Sequence, residues 1–206
     1  LYNNDLIGSG YFDDMTLKKI APLTDDGLLK NGDFAYRDFA TWKAANNGNR
    51  SGDFDFFEDE EGYGGTKGFA RLQNSDPSER DSGSKDYLGM NSANAALPEK
   101  NGSYHLSFYV RANAAAHGRF RVMITRRDAQ GQNLPSGAMS YTDIALGDTD
   151  GWQKINYWFD ANGAASAAVT ILLFDGAGEA VCDIDCATLQ LVKAGPIGAN
   201  LDFTAG

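Results

Sequence analysis

Histidine, cysteine and proline are scarce in this chain: two, two and five of 206 residues. His105 and His117 are too few for a histidine-rich zinc centre. No Gly-x-Ser-x-Gly elbow, phosphate loop or His-Glu-x-x-His motif is present, so the commonest signatures of esterases, nucleotide-binding enzymes and zinc proteases are missing. No run approaches the ~18 apolar residues that span a bilayer, and no membrane insertion is expected. Basic residues are outnumbered, 18 Lys and Arg against 28 Asp and Glu, for a net charge of −10 with no basic run. Such a chain repels polyanions, and nucleic acid is not an expected partner. The opening LYNNDLIGSG has neither the basic nor the apolar region of a signal peptide. Cys182 and Cys186 fall in one predicted strand, where four residues span ~13 Å, beyond disulfide reach unless a bulge intervenes.

Glycine, by contrast, is frequent at 24 residues, and aromatic residues make up 12% of the chain. Long helical periodicity is absent. Alternating apolar and polar residues are clear in Tyr104–Arg111 (YHLSFYVR), Arg119–Arg127 (RFRVMITRR), Trp152–Phe159 (WQKINYWF) and Ile184–Val192 (IDCATLQLV), with Val169–Phe174 (VTILLF) more continuously apolar. Turn residues separate these segments, as at Asn101-Gly102 and Asn162-Gly163. The Ala-rich pieces Ala93–Ala96, Ala114–His117 and Ala164–Ala168 read as loops, and Lys67–Gln73 reads as a further strand within a long polar stretch. Together these predict an all-β fold, an antiparallel β-sandwich.

Two short similarities recur at nearly one period, roughly 170 residues. Phe12–Ile20 (FDDMTLKKI) resembles Ile184–Val192, and Asn31–Phe34 (NGDF) resembles Asn200–Phe203 (NLDF). They predict a tandem array. Residues 1–20 are read as the last strands of one repeat, 21–27 as a linker, 28–193 as a whole sandwich, and 194–206 as a linker with the first strand of the next repeat. Orphan strands of this kind allow strand exchange with neighbouring repeats.

The strand signatures LLKNGDF (Leu28–Phe34), Trp42, NGSYHLSFYVRA (Asn101–Ala112), GWQKINYWF (Gly151–Phe159) and IDCATLQL follow one another in a recognisable order. The stretch resembles the jelly-roll carbohydrate-binding modules that accompany xylanases, glucanases and other polysaccharide-degrading enzymes. The resemblance implies a jelly roll, a secreted or cell-surface location, and non-catalytic binding of a polysaccharide across a sheet face. It also implies a structural calcium between the opening and closing strands, at positions that correspond here to Asp33 and Asp185. On Tyr104–Arg111, Tyr104, Leu106, Phe108 and Val110 take the core side, leaving His105, Ser107, Tyr109 and Arg111 opposite. An aromatic plate beside planar polar groups is what a sugar ring needs. The resemblance extends to Tyr109 and Arg111 as ligand-binding residues, and strand alternation adds Phe69, Arg71, Arg121 and Trp158. Arginine forks pair well with carboxylates, so convergence of Arg71, Arg111 and Arg121 predicts an acidic polysaccharide, a neutral glycan being the alternative.

The run Asp53–Glu61 (DFDFFEDEE) holds six acidic side chains in nine residues without the spacing of an EF-hand, and reads as a solvated loop or a second calcium site. Two further functional readings stand beside carbohydrate binding. One is a structural repeat of a surface or fibre-forming assembly. The other is an enzyme domain that degrades polysaccharide, with His105, Tyr109 and Arg111 as a lyase-like group.

Overall fold

The computed structural model describes residues 27–45, 52–74, 87–113, 119–146, 151–174 and 180–193. Residues 1–20, most of the linker that follows, residues 194–206 and the Ala114–His117 piece lie outside the described residues, and with them the tandem-repeat and strand-exchange readings.

The described residues form eleven strands: β1 (Trp42–Ala44), β2 (Gly52–Phe56), β3 (Ala70–Asn74), β4 (Tyr87–Ser92), β5 (Ala95–Ala96), β6 (Ser103–Ala112), β7 (Arg119–Arg127), β8 (Met139–Ala145), β9 (Gln153–Asp160), β10 (Ser166–Phe174) and β11 (Val181–Lys193). A single 3-10 turn, Tyr63–Gly65, interrupts them, and there is no α-helix among the described residues. One sheet has the order β2-β3-β11-β6-β9. The other runs β1-β4-β10-β7-β8, with β5 beside β10. All strand pairs are antiparallel. The chain changes sheet between β1 and β2, β3 and β4, β5 and β6, β6 and β7, β8 and β9, β9 and β10, and β10 and β11. That is how a jelly roll closes two sheets over one core.

The predicted alternation supplies this core. Leu106, Phe108 and Val110 of β6 meet Phe120, Val122 and Ile124 of β7 and Val169, Ile171 and Leu173 of β10, all fully buried. The opening segment seals one end. Phe34 packs 5.4 Å from Trp42, whose indole Nε1–H donates to the Lys30 carbonyl at 3.1 Å. Gly32 touches the backbone of Ala187, where any Cβ would overlap the carbonyl oxygen, and the Ala187 N–H donates to the Gly32 carbonyl.

Four differences from the sequence reading have physical causes. The Ala-rich loops are partly strand, since β5 and the start of β10 fall in them; alanine is neutral enough for pairing to decide. β1, β2, β4 and β8 are further strands; β2 and β4 carry only two alternating apolar residues each, Phe54 and Phe56 and Leu88 and Met90, and β1 and β8 carry no clear apolar alternation. The acidic run becomes edge strand β2 and a turn, in which Asp55 pairs with Arg37 at 3.0 Å. Finally, β11 carries a bulge between Asp185 and Thr188, with Cys186 at φ 53°. The extra residue switches the inward set from Cys182 and Ile184 to Ala187 and Leu189. Both cysteines are free thiols, and burial pushes the Cys186 thiol up to about 12.

Candidate functional site

Each sheet turns one face to solvent, and the sequence-predicted residues divide between the two. On the five-stranded sheet, register aligns Asp55 of β2, Arg71 of β3, Asp183 of β11 and Arg111 of β6 in one row. Asp183 sits between the two arginines, almost fully buried. Arg71 donates from Nε to its Oδ1 at 2.6 Å and from Nη2 to its Oδ2 at 3.1 Å. Arg111 donates to the same Oδ2 from Nε at 3.2 Å and from Nη2 at 2.8 Å. The hydrogen bond to Asp183 holds the Arg71 guanidinium more firmly protonated than usual. Aromatic rings close around the group. Arg71 lies 4.4 Å from the Phe57 ring centre and Arg111 lies 4.7 Å from that of Trp152. Phe69 is fully buried beneath them, stacked on Phe57 at 5.3 Å. Tyr109, the next outward residue on β6, is covered by Tyr63, with ring centres 3.4 Å apart and nearly parallel.

Further along the same face, Trp158 is 52% exposed and stacks on His105 at 4.5 Å, while His105 Nε2 meets Asn156 Oδ1 at 3.0 Å. Thus Phe69, Arg71, Tyr109 and Arg111 gather in one cluster, and Trp158 shares their face. Arg121 does not join them; it lies on β7, in the other sheet.

The outer face of that six-stranded sheet is more open. Register aligns Lys43, Asn91, Thr170, Met123 and Tyr141 across five strands. Tyr141 is 58% exposed. Its ring rests 3.9 Å from the Arg121 guanidinium, which is itself forked onto Asp143 at 2.6 and 2.9 Å. At the far end, Asn91 Oδ1 accepts from the Thr170 hydroxyl at 2.9 Å. A cleft of about 320 Å³ opens there, lined by Thr41, Lys43, Asn91, Asn94 and Arg127, and adjoins a second of about 420 Å³. Arg127 donates from Nη1 to the Gly131 carbonyl, while its Nε is buried without a partner among the described residues. The face therefore combines a rigidly held aromatic plate with convergent hydrogen-bonding groups.

No known protein family matches the sequence, and no curated protein resembles it. Solved structures resemble its fold. The xylan-binding domain CBM22-1 from Paenibacillus barcinonensis Xyn10C superposes with a TM-score of 0.53 at 19% identity, covering 80% of this chain and 94% of that one. TmCBM61, solved in complex with β-1,4-galactotriose, gives 0.53 at 12% identity, over 80% and 97%. The fold is the jelly roll of carbohydrate-binding modules. The enzymatically active domain of bacteriophage CBA120 tailspike protein 4 gives a TM-score of 0.60 at 13% identity over 80% of this chain. This jelly roll spans only 21% of that tailspike chain.

The calcium implied for such a module can be tested against its residues. Asp185 is fully buried, and burial pushes its carboxyl above the usual range. Its Oδ2 accepts from the Tyr63 N–H at 2.7 Å and the Thr66 hydroxyl at 3.0 Å, and its Oδ1 accepts from the Cys186 N–H. Asp33 Oδ1 accepts from the Ala35 N–H at 3.4 Å. Hydrogen-bond donors surround the Asp185 carboxylate where a cation needs oxygen ligands. No cluster of three or more His, Cys, Asp or Glu side chains suits a metal among the described residues. A calcium shared by Asp33 and Asp185 would have to displace these donors from the Asp185 carboxylate. Asp185 instead anchors the hairpin that carries Tyr63. EDTA is therefore expected to leave the melting temperature unchanged within about 1 °C; a fall of several degrees, reversed by calcium, would restore the metal site.

Sequence reasoning missed Tyr141, Asn91 and Lys43 on the open face, and Tyr63, Phe57 and Trp152 in the arginine cluster. The alternation of Tyr141 and Asp143 in MSYTDIA was a usable signal. Nothing local linked Tyr63 to Tyr109.

Proposed function

We propose that this jelly-roll module binds a polysaccharide along the outer face of the six-stranded sheet without transforming it. The observation that carries the reading is the exposed Tyr141 ring, held by the Arg121–Asp143 fork at one end of a row that runs over Met123 to the polar Thr170, Asn91 and Lys43 and into a cleft. A plate for the apolar face of a sugar and nearby amides and cations for its hydroxyls form a suitable recognition surface. The fold supports the reading, because the similar modules include one named for xylan and one solved with a galactotriose. Asp143, the carboxylate beside the Tyr141 ring, is engaged by both arms of the Arg121 fork. A polysaccharide ligand in turn places the module outside the cell or at its surface. Since Arg121 spends its fork on Asp143, a preference of this face for uronic acids would not come from that residue.

Calorimetric titration with neutral plant oligosaccharides, guided by a glycan array, tests the proposal. Tyr141→Ala is expected to weaken binding at least tenfold, about 1.4 kcal/mol, with the melting temperature kept because the ring is exposed. Binding that survives this change intact, or no binding to any glycan, would reject the proposed face.

A further inference from the structure

The outer face of the five-stranded sheet carries two aromatic plates and, beside one of them, an ammonium that makes no salt bridge among the described residues. Cross-strand register pairs Tyr109 with Lys154, Ser107 with Asn156 and His105 with Trp158, so the plates lie four residues apart, ~13 Å along the strands. At one end Tyr63 covers Tyr109, and Lys154 Nζ stands 5.7 Å from the Tyr109 ring centre. At the other end Trp158 is half-exposed on His105. Between them lie Asn156 and the hydroxyl pair Ser107–Thr188, joined at 3.0 Å.

The local charge is the second observation. In a chain of net charge −10, this stretch presents Arg111 and Lys154. Asp183, the carboxylate nearest Arg111, is buried and shared with Arg71. Lys154 makes no salt bridge among the described residues. Asp185 shares the row of Tyr109 and Lys154 but is fully buried beneath the turn that carries Tyr63; other acidic side chains lie at the margins, where Glu60 acts on Arg71 and Asp160 accepts from the Ser103 hydroxyl beyond Trp158.

We propose that this face is a second, independent glycan site, specific for an acidic polysaccharide. Lys154 takes a uronic carboxylate, Arg111 adds to the positive field, and Tyr63 and Trp158 stack against sugar rings along the chain. The ammonium is the cation with its charge still available, and an exposed indole beside an amide and an imidazole suits the ring and hydroxyls of a neighbouring sugar. The two sites face opposite directions, so one module would hold two polysaccharide chains at once.

The test is titration with oligogalacturonate, followed by calorimetry and by iodide quenching of tryptophan fluorescence. Trp158 dominates the quenchable signal, since Trp42 is fully buried and Trp152 only partly exposed. Oligogalacturonate is expected to bind, to shield Trp158 from iodide, and to lose affinity as salt is raised. Trp158→Ala and Lys154→Glu are each expected to weaken it at least tenfold, with circular dichroism and melting temperature near those of the parent. Tyr141→Ala is expected to leave it within twofold. Absence of uronan binding, or indifference to Lys154→Glu, overturns the inference while leaving the neutral site standing. Loss of uronan binding on Tyr141→Ala would also overturn it, by placing the acidic ligand on the other sheet.

Discussion

Replacing Asp183 with alanine is expected to lower the melting temperature by about 10 °C. Asp183 is almost fully buried on the outward side of β11 and accepts four charge-assisted hydrogen bonds, two from Arg71 and two from Arg111. Its removal leaves two guanidinium groups side by side, packed on Phe57, Phe69 and Trp152, with no counter-charge between them. Breaking a buried ion pair by deleting one partner costs about 3–5 kcal/mol. Both arginines keep some exposure, so water recovers part of this, and about 3 kcal/mol is the better figure. For a chain of this size that amounts to about 10 °C. Differential scanning calorimetry decides the matter. Asp183→Asn, which keeps one acceptor oxygen, turns the other into an NH2 donor and drops the charge, should recover only part of this loss. A shift under about 2 °C for Asp183→Ala would mean that solvent already supports both arginines and that the triad is not structural.

Trp42→Ala is expected to cost more, about 4 kcal/mol, and to leave a protein that is partly unfolded at 37 °C. Trp42 is the largest fully buried side chain. It fills the end of the sandwich against Phe34, and its Nε1–H ties edge strand β1 to the Lys30 carbonyl. Alanine removes the ring, opens a cavity and leaves that carbonyl without its donor. Trp42→Phe keeps much of the volume and should lose about half as much. Thermal unfolding followed by circular dichroism ranks the three proteins. Equal loss for Phe and Ala would assign the stabilisation to the indole hydrogen bond, and no loss for either would contradict the packing described here.

The elements read correctly from sequence were those whose environment repeats with the backbone. Along β6, β7 and β9 every second residue meets the same core, so period-two alternation in YHLSFYVR, RFRVMITRR and WQKINYWF reports strand and inward face together. β8 escaped because neither of its faces is fully buried and its alternation is polar. On β11 no single alternation holds past Asp185, because a one-residue bulge reverses the parity and leaves no mark in composition.

The candidate site was legible only in its parts. Sequence alone indicated that Arg71, Tyr109, Arg111, Arg121 and Trp158 point away from the core. It did not indicate that Arg71 and Arg111 share one buried carboxylate, that Arg121 lies on the opposite sheet beside Tyr141, or that Tyr63 covers Tyr109. Those facts depend on cross-strand partners separated by up to 112 residues along the chain. By itself the sequence determined the strand alternation, the apolar core and the acidic balance, because each is a local or summed property of side chains. Strand order and register, set by how the whole chain packs two sheets over one core, decided which arginines were neutralised and which aromatic rings stayed open to a ligand.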